Sequence, residues 1–428
     1  MRAASNALAV LLLKGAAPPL QFLLLVLTAR WFGVAVRGEI ALFTAAVNLF
    51  VLIVGFTGGS SIVYLASRDP SRALLGRILT VSYSFCVLVP VALAAVASGM
   101  GRPVSHETPL VVWVAVMNAL LVVHVCVMMS GHAVWQATLL EFLRPFTLVS
   151  LAVLVAWVRG FRTPGEFFVV WAVAATVAFL LSVPFVLAHR RRLPPHGAGA
   201  APEARQVLRD LLGYGFLAQA SNFTQFLNYR GLFFALERSV SVTAVGLFST
   251  AVSFAEILWI PANSLAAVTL NRVTRSGAAP ETRPFVLRMA RLALVATASA
   301  ALLIALVPRG WITALLGPDF GAVRQQLLVL LPGVIAIGIS VIASAYHAGN
   351  GLYRSNLFAA LSGLLPTLVG MFVLVPWLGA RGATIAMNAS YLFTASVLIA
   401  SLARRERVRP GELVPRPGDL PQPLARPT

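Results

Sequence analysis

Residues 227–261, LNYRGLFFALERSVSVTAVGLFSTAVSFAEILWIP, cover parts of two apolar runs, 211–236 and 243–270, that are each long enough to cross a membrane. Arg230 lies inside the first run, and Glu256 lies near the middle of the second. A charged side chain at mid-bilayer depth costs about 2.5 to 3.5 kcal/mol, so such residues normally face a protein interior or a wet cavity. We therefore interpret this stretch as one wall of a polar path through a membrane protein.

The composition of the whole chain agrees with a membrane location. The chain has 428 residues, of which 59% are hydrophobic and only 11% are charged, and its mean hydropathy is +0.86. These values are typical of a polytopic membrane protein. The net charge of +19 could indicate nucleic acid binding, but the arginines lie in short loops between apolar runs, where membrane orientation explains them. We expect no nucleic acid partner.

The chain contains an internal repeat. Residues Val245–Pro261 align without gaps on residues Ile40–Phe56, and further pairs follow in the same order at a slightly larger offset. Parallel repeats are a common way to build transporters, with the substrate site between the two copies. The sequence predicts an all-α polytopic membrane protein, with twelve transmembrane helices in two six-helix lobes related by a pseudo-two-fold axis along the membrane normal.

Four regions follow from the pattern of apolar runs and polar breaks. Residues 1–188 form the N-terminal lobe, and residues 211–403 form the C-terminal lobe. Residues 189–210 are the one long polar break and are predicted to be a flexible cytoplasmic linker, because they are rich in proline, glycine and alanine. Residues 404–428 are rich in proline and charge, which predicts a disordered cytoplasmic tail.

A polar stripe precedes Arg230 in the same predicted helix. The stripe consists of Gln219, Asn222, Gln225 and Asn228, and their spacing of three residues keeps them on one slowly drifting face. Amide side chains can bind sugar hydroxyls, so these residues are candidates for substrate binding. Hydrogen bonding between helices is the alternative.

Four charged residues complete the candidate site. Lys14 either extends to the inner headgroups or faces a cavity. Arg30 and Arg37 flank the first outer loop, where headgroup contact competes with substrate binding, and only Arg30 is included as a candidate. Arg230 and Glu256 either form a structural ion pair or serve separately, as an anionic-substrate contact and an ion-coupling site.

Enzyme signatures are missing from the sequence. The histidines are scattered, no catalytic carboxylate pair or metal-ligand spacing occurs, and the predicted outer loops are too short for a catalytic domain. We predict that the protein is not an enzyme, with no catalytic residue, no metal site and no cofactor.

Several segments resemble the polysaccharide-biosynthesis flippases of the multidrug/oligosaccharidyl-lipid/polysaccharide exporter superfamily. In order, the resembling segments are TARWFG from Thr28 with Arg37–Gly38, LLGYGFLAQ from Leu211, VGLFSTAVSFAEILWIP from Val245, LLGPDFGAVRQQLLVLLPG ending at Gly333, and WLGARGATIAMNASY from Trp377. The resemblance implies two six-helix lobes and export of lipid-linked glycans across the cytoplasmic membrane. It also implies glycan polymerases and glycosyltransferases as partners, besides membrane lipids.

The chain departs from the superfamily at two points. Relatives often have an acidic residue two positions after the arginine of the LNYR segment, where this chain has Leu232. Lipid II flippases of the superfamily typically carry Arg-Asp inside the first helix and two additional helices, whereas this chain has Leu24 and Leu25 there. Leu232 cannot supply the coupling or structural role of that acidic residue. The second difference, together with the predicted count of twelve helices, argues against the lipid II branch.

The predicted function is a flippase that translocates an undecaprenyl-pyrophosphate-linked oligosaccharide across the inner membrane by alternating access. A sugar head cannot cross about 30 Å of hydrocarbon without a polar cleft, and the planar guanidinium of arginine suits a pyrophosphate. One alternative is a cation-coupled small-molecule (multidrug) exporter of the same fold. A second is a membrane-embedded glycan-polymerising enzyme, which the short outer loops disfavour.

The distribution of arginine predicts the topology. Arginine is concentrated at the N-terminus, in the loops after even-numbered helices and in the C-terminal tail, so both termini and the linker are expected in the cytoplasm. Reporter fusions at residue 200 and at the C-terminus should therefore give a cytoplasmic signal. A periplasmic signal at residue 200 would contradict the assignment of the lobes.

Overall fold

The regular structure of the described residues is entirely helical in this computed structural model. The structure describes residues 2–99, 108–195, 203–276, 281–414 and residue 419. The helices are α1 (Arg2–Val54), α2 (Ser60–Arg68), α3 (Arg72–Gly99), α4 (Thr108–Ser130), α5 (Val134–Val158), α6 (Pro164–Arg192), α7 (Ala204–Ser239), α8 (Val242–Ile257), α9 (Ile260–Ser276), α10 (Thr282–Leu306), α11 (Arg309–Leu316), α12 (Val323–Gly349), α13 (Tyr353–Val369), α14 (Val375–Leu378) and α15 (Ala380–Glu406).

Within the described residues, nine helical segments are long and apolar enough to span a membrane, or ten if one bent pair counts as a span. The bent pair is Val242–Ile257 and Ile260–Arg275, which meet at 50°. Pro261 lies at this bend, where its missing N–H prevents the helix from continuing regularly. The segment Leu12–Arg68 is 57 residues long, which exceeds the roughly 20 residues that one span requires. The membrane-spanning all-α fold is confirmed, and the number twelve stays a prediction.

The long helix α1 is interrupted at Gly33. This residue has φ 76° and ψ −172°, outside the helical region, and glycine adopts a positive φ without steric cost. The described chain divides into two compact units near this break. Unit 1 comprises Met1–Phe32 and Phe43–Gln219, and unit 2 comprises Gly33–Leu42 and Ala220–Thr428. The units group the residues differently from the predicted lobes, because residues 33–42 belong to unit 2 and residues 211–219 belong to unit 1. The two lobes stay a prediction.

Unit 1 has an apolar core built mainly from α2 to α6, with Val54 of α1 and Val207 and Leu211 of α7. Arg72, at the start of α3, donates hydrogen bonds to the main-chain oxygens of Arg190, Arg191 and Leu193, at 3.3, 2.9 and 3.2 Å. These oxygens lie at the end of α6, where carbonyl groups lack partners within the helix. The beginning of the predicted linker is thus helical and capped, and residues 196–202 of the linker lie outside the described residues.

Unit 2 contains a reciprocal contact between two glycines. A Cβ atom on Gly38 would lie 2.1 Å from the main-chain oxygen of Val242, and one on Gly246 would lie 2.0 Å from that of Val34. Only hydrogen at both positions lets the backbones of the Gly33–Leu42 segment and α8 approach this closely. This contact fixes the position of the segment in unit 2.

The chain continues as an ordered segment beyond the predicted start of the tail. Helix α15 ends at Glu406, and Arg407 adopts a left-handed conformation with φ 50°. Glu412 and Asp419 then form ion pairs with Arg283 and Arg291 of α10. The sequence predicts disorder from residue 404, whereas the structure describes residues 404–414 and residue 419 in contact with α10. Local composition does not reveal these contacts, because the arginines lie far away in the sequence. Residues 415–418 and 420–428 lie outside the described residues.

Adding a methyl group at either glycine of the reciprocal contact should destabilise unit 2. Gly38→Ala and Gly246→Ala place Cβ within 2.1 Å of a main-chain oxygen, and such overpacking costs about 1–3 kcal/mol or more. We expect lower membrane abundance and earlier thermal unfolding of the purified protein. Gly213→Ala is the matched control, since a Cβ there would have no atom within 4 Å. Equal stability of all three variants would contradict the importance of this contact.

Candidate functional site

Arg230 and Glu256 form a bidentate ion pair in unit 2. The Nη1 atom of Arg230 lies 2.8 Å from Oε1 of Glu256, and Nη2 donates to Oε2 at 2.9 Å. The two side chains are 22% and 27% exposed, so the pair is partly accessible. The pairing connects α7, which is not among the candidate spans of the described residues, to α8 of the bent pair. It gives each of the two charges a partner of opposite sign.

Arg37 contributes a second cation to the same cluster. Its side chain is only 9% exposed, and its Nε atom has no hydrogen-bond partner among the described residues. Arg37 lies close enough to Arg230 for electrostatic repulsion. It directly precedes Gly38, so the glycine contact with α8 holds it in this position. The cluster therefore contains two cations and one carboxylate, a surplus of one positive charge.

Three aromatic residues lie next to the ion pair. Ring centroids are 5.4 Å apart for Tyr229 and Tyr391, 5.3 Å for Trp259 and Tyr391, and 5.7 Å for Tyr229 and Trp259. Gln225 donates from Nε2 to the hydroxyl of Tyr229 at 2.6 Å. The Tyr391 hydroxyl and the Trp259 Nε1 are buried and have no partner among the described residues. A polar group so placed is a site for water or for a ligand.

Two residues of the predicted polar stripe, Gln219 and Asn228, bind main-chain oxygens, and they do so in different units. In unit 1, Gln219 donates from Nε2 to the main-chain oxygen of Leu52 at 2.7 Å, where the helix changes to a 3₁₀ turn at Gly55. In unit 2, Asn228 is 1% exposed and donates to the main-chain oxygen of Ala360 at 2.8 Å. Gln219 and Asn228 thus satisfy backbone groups, which is the interhelical alternative. Asn222 is exposed, and Gln225 is half-buried beside the aromatic cluster.

Lys14 lies at a cavity inside unit 1. The cavity has a volume of about 510 Å³, and its polar lining includes Lys14, Gln21, Asn118, Glu141 and Arg144. The Oδ1 atom of Asn118 is buried without a hydrogen-bond partner among the described residues. Two cations face one carboxylate here as well. Lys14 is exposed and lines this cavity, and its role in substrate binding stays a prediction.

Arg30, by contrast, is exposed on α1 before the break, in unit 1. The sequence does not distinguish Arg30 from Arg37, because both flank one loop. Of these two arginines the buried one is Arg37, which the predicted set omits. The positive φ at Gly33 separates the two arginines, and a sequence does not reveal on which side of such a break a residue packs. The part of the chain that the structure describes contains no group of three or more histidine, cysteine or acidic side chains that could hold a metal ion.

Comparisons with known proteins give matches among solved structures only. No protein-family model matches the chain, and no curated protein matches it. The lipid II flippase MurJ in an inward closed conformation aligns with a TM-score of 0.70 at 12% identity, over 93% of this chain and 87% of that one.

Multidrug transporters align equally fully. An inward-facing multidrug resistance MATE family transporter of the MOP superfamily has a TM-score of 0.65 at 16% identity, over 94% of each chain. The eukaryotic MATE transporter AtDTX14 has a TM-score of 0.64 at 14% identity, over 94% of this chain and 96% of that one. The chain therefore has the fold that MATE transporters of the MOP superfamily share with the lipid II flippase, and its structural neighbours are transporters and flippases rather than enzymes.

Proposed function

We propose that this protein is a flippase that exports an undecaprenyl-pyrophosphate-linked oligosaccharide by alternating access. The observation that carries the proposal is the surplus of positive charge at both polar clusters. Arg37 and Arg230 face one carboxylate in unit 2, and Lys14 and Arg144 face one in unit 1. Arg37 is buried and Arg230 is partly exposed, whereas Lys14 and Arg144 are exposed. Cations that outnumber the neighbouring carboxylates favour an anionic substrate.

Arg37 is the guanidinium best suited to bind the pyrophosphate. Both terminal nitrogens of Arg230 already contact Glu256, whereas none of the ion pairs among the described residues involves Arg37. A charge-assisted hydrogen bond to phosphate is worth about 1.5–3 kcal/mol. Arg37 makes the first contact, and Arg230 joins it when the phosphate displaces Glu256.

This displacement supplies a route for ion coupling. A carboxylate that loses its arginine partner in a partly buried site becomes unfavourable as a free charge, so it takes up a proton or another cation. Substrate binding by Arg230 and cation uptake by Glu256 would then be coupled, because each breaks the same ion pair. Glu256 is accordingly proposed as the ion-coupling residue, and Arg37 joins the proposed substrate-binding residues.

Uncharged polar groups are proposed to bind the glycan. The candidates are the exposed Asn222 and the half-buried Gln225 on α7, together with Asn118 and Gln21, which line the cavity of unit 1 with Lys14. Gln219 and Asn228 are better explained by their backbone contacts, and Arg30 by an interfacial position. The polyprenyl tail stays in the bilayer, and the inner-membrane location and glycan-synthesis partners belong to this same proposal.

A cation-coupled small-molecule exporter of the same fold is the second candidate. One observation favours it, namely the three aromatic rings packed beside Glu256, because aromatic faces and a carboxylate suit an organic cation. Proteoliposomes loaded with either substrate separate the two functions. Translocation of a fluorescent lipid-linked oligosaccharide, without transport of ethidium, is the expected result. Ethidium transport alone would replace the flippase proposal by the exporter.

Neutralising Arg37 should reduce transport while leaving the protein folded. For Arg37→Gln we expect at least about a tenfold loss of the initial rate of oligosaccharide translocation, because one arginine–phosphate contact is removed. Membrane abundance should change little, since no carboxylate is left unpaired. Arg238→Gln, an exposed substitution at the end of the same α7 that carries Arg230, should transport normally. A normal rate in Arg37→Gln would remove this residue from the site.

The ion pair has a different expected pattern. Arg230→Gln and Glu256→Gln each leave one charge unpaired, so both single variants should have lower membrane abundance, at a cost of about 3–5 kcal/mol for a fully buried pair and less for this partly exposed one. The double variant should recover abundance because it contains neither charge.

Transport by the double variant separates structure from function. If the pair only stabilises the fold, the recovered protein should translocate at the normal rate. We expect the translocation rate of the double variant to stay low in proteoliposomes that contain equal amounts of protein. The remaining rate should no longer depend on an imposed proton or sodium gradient.

A further inference from the structure

Three arginines in the first turns of α10 form a basic surface, here called the arginine cradle. Its members are Arg283, Arg288 and Arg291. At about 100° per residue they cover a sector of roughly 140° around the helix axis. Arg291 is 8% exposed, Arg283 is partly exposed, and Arg288 is exposed. The cradle belongs to unit 2 and is separate from the cluster at Arg230 in the sequence and in its contacts.

The C-terminal segment supplies the ligands of Arg291 and Arg283. The carboxylate of Asp419 accepts hydrogen bonds from Nε and Nη2 of Arg291 at 2.6 and 2.7 Å. The Nη1 atom of Arg291 donates to the main-chain oxygen of Glu412 at 2.8 Å. The side chain of Glu412 accepts from Nη2 of Arg283 at 2.8 and 2.9 Å. This fork-to-carboxylate geometry is the one that arginine also uses for phosphate.

Arg288 is the cation that the segment leaves without a counter-charge. It donates from Nε and Nη2 to the main-chain oxygen of Asp419, each at 3.3 Å, and it takes part in none of the ion pairs of the described residues. The cradle thus has three cations and two carboxylates. It keeps one surplus positive charge even when the C-terminal segment is bound.

The segment is attached mainly through charges. Leu413 packs against the apolar core of unit 2, but the neighbouring Val414 is 59% exposed. The pair of Arg283 and Glu412 is also accessible, at 38% and 27% exposed. An ionic attachment of this kind can be exchanged for another anion present at high local concentration.

The depth of the cradle indicates which anion is available. Helix α10 belongs to the candidate span Thr282–Leu306 of 25 residues, which at 1.5 Å per residue is about 38 Å long. The hydrocarbon layer is about 30 Å thick, so one or both helix ends lie among the headgroups. Arg291 lies about 13 Å from the start of the helix, within reach of that layer for a long side chain. Anionic phospholipids present their phosphates in this headgroup layer.

We infer that the arginine cradle is a binding site for the phosphate of an anionic phospholipid. The carboxylates of Glu412 and Asp419, on the same chain, compete with this phosphate for the arginines. Arg288 attracts the phosphate first because it lacks a carboxylate. Arg291 then exchanges Asp419 for the lipid, and the C-terminal segment is released from α10. This inference does not depend on the nature of the transported substrate.

The test measures thermal unfolding in nanodiscs of phosphatidylcholine, with or without phosphatidylglycerol. In phosphatidylcholine, Glu412→Gln/Asp419→Asn should unfold about 5 °C below the wild type, because Arg291 loses its counter-charge. Phosphatidylglycerol should restore most of this loss, whereas inorganic phosphate should not. The matched control Glu203→Gln/Asp319→Asn removes two exposed carboxylates elsewhere and should show neither the loss nor the lipid-specific recovery.

Adding Arg288→Gln and Arg291→Gln to the C-terminal variant should abolish the recovery by phosphatidylglycerol. An undiminished recovery in this fourfold variant would place the lipid elsewhere and overturn the inference. Equal recovery by inorganic phosphate would overturn the choice of a lipid. No loss of stability in the first variant would show that the carboxylates are not ligands of the cradle.

A second measurement keeps all five charged side chains intact. A spin label on Val414→Cys reports the mobility of the C-terminal segment, and the native Cys86 and Cys126 are buried, which limits their labelling. Increasing phosphatidylglycerol should increase the mobility of this label, while a label on Gly310→Cys, an exposed position with open space around it, should not respond. An unchanged spectrum at residue 414 would contradict competition between lipid and segment.

Discussion

The low polarity of the bilayer requires that each charge in a spanning helix has a partner or a wet surface. Glu256, in the bent pair of α8 and α9, meets this requirement through Arg230, and Arg291 meets it through Asp419. The two solutions differ in exposure, because the first pair is partly accessible and the second is nearly buried. A charge that is paired but accessible can exchange its partner for a ligand, which is why the accessible pair anchors the proposed transport site.

The same constraint applies to the backbone wherever a helix is broken. Gln219 donates to the main-chain oxygen of Leu52 beside the 3₁₀ turn that starts at Gly55, and a Cβ on Gly55 would lie 2.4 Å from the donating nitrogen. An exposed carbonyl at such a break would lack a partner in hydrocarbon. The Gln219 amide, which the sequence predicts to bind sugar, therefore donates to a main-chain oxygen instead. A polar side chain near a helix break can thus be present to satisfy the backbone groups that the break exposes.

The break at Gly33 connects the fold to the site. It separates residues 33–42 from the first part of α1 and assigns them to unit 2. The contact of Gly38 with α8 then places Arg37 beside Arg230. A backbone property of one glycine thus determines which arginine of the first loop is buried. The positive surplus that supports an anionic substrate depends on this arrangement.

The sequence alone determined the helical membrane fold and the presence of charges inside spans. Apolar runs of sufficient length and a charge at Arg230 and Glu256 are local properties, readable without coordinates. Tertiary structure decided the partners: Glu256 for Arg230, backbone groups for Gln219 and Asn228, and Asp419 for Arg291. The physical reason is distance along the chain, since these partners are 26 to 167 residues apart and no periodicity links them. Periodic patterns specify which face of a helix is apolar, whereas the partner of a buried charge is set by packing.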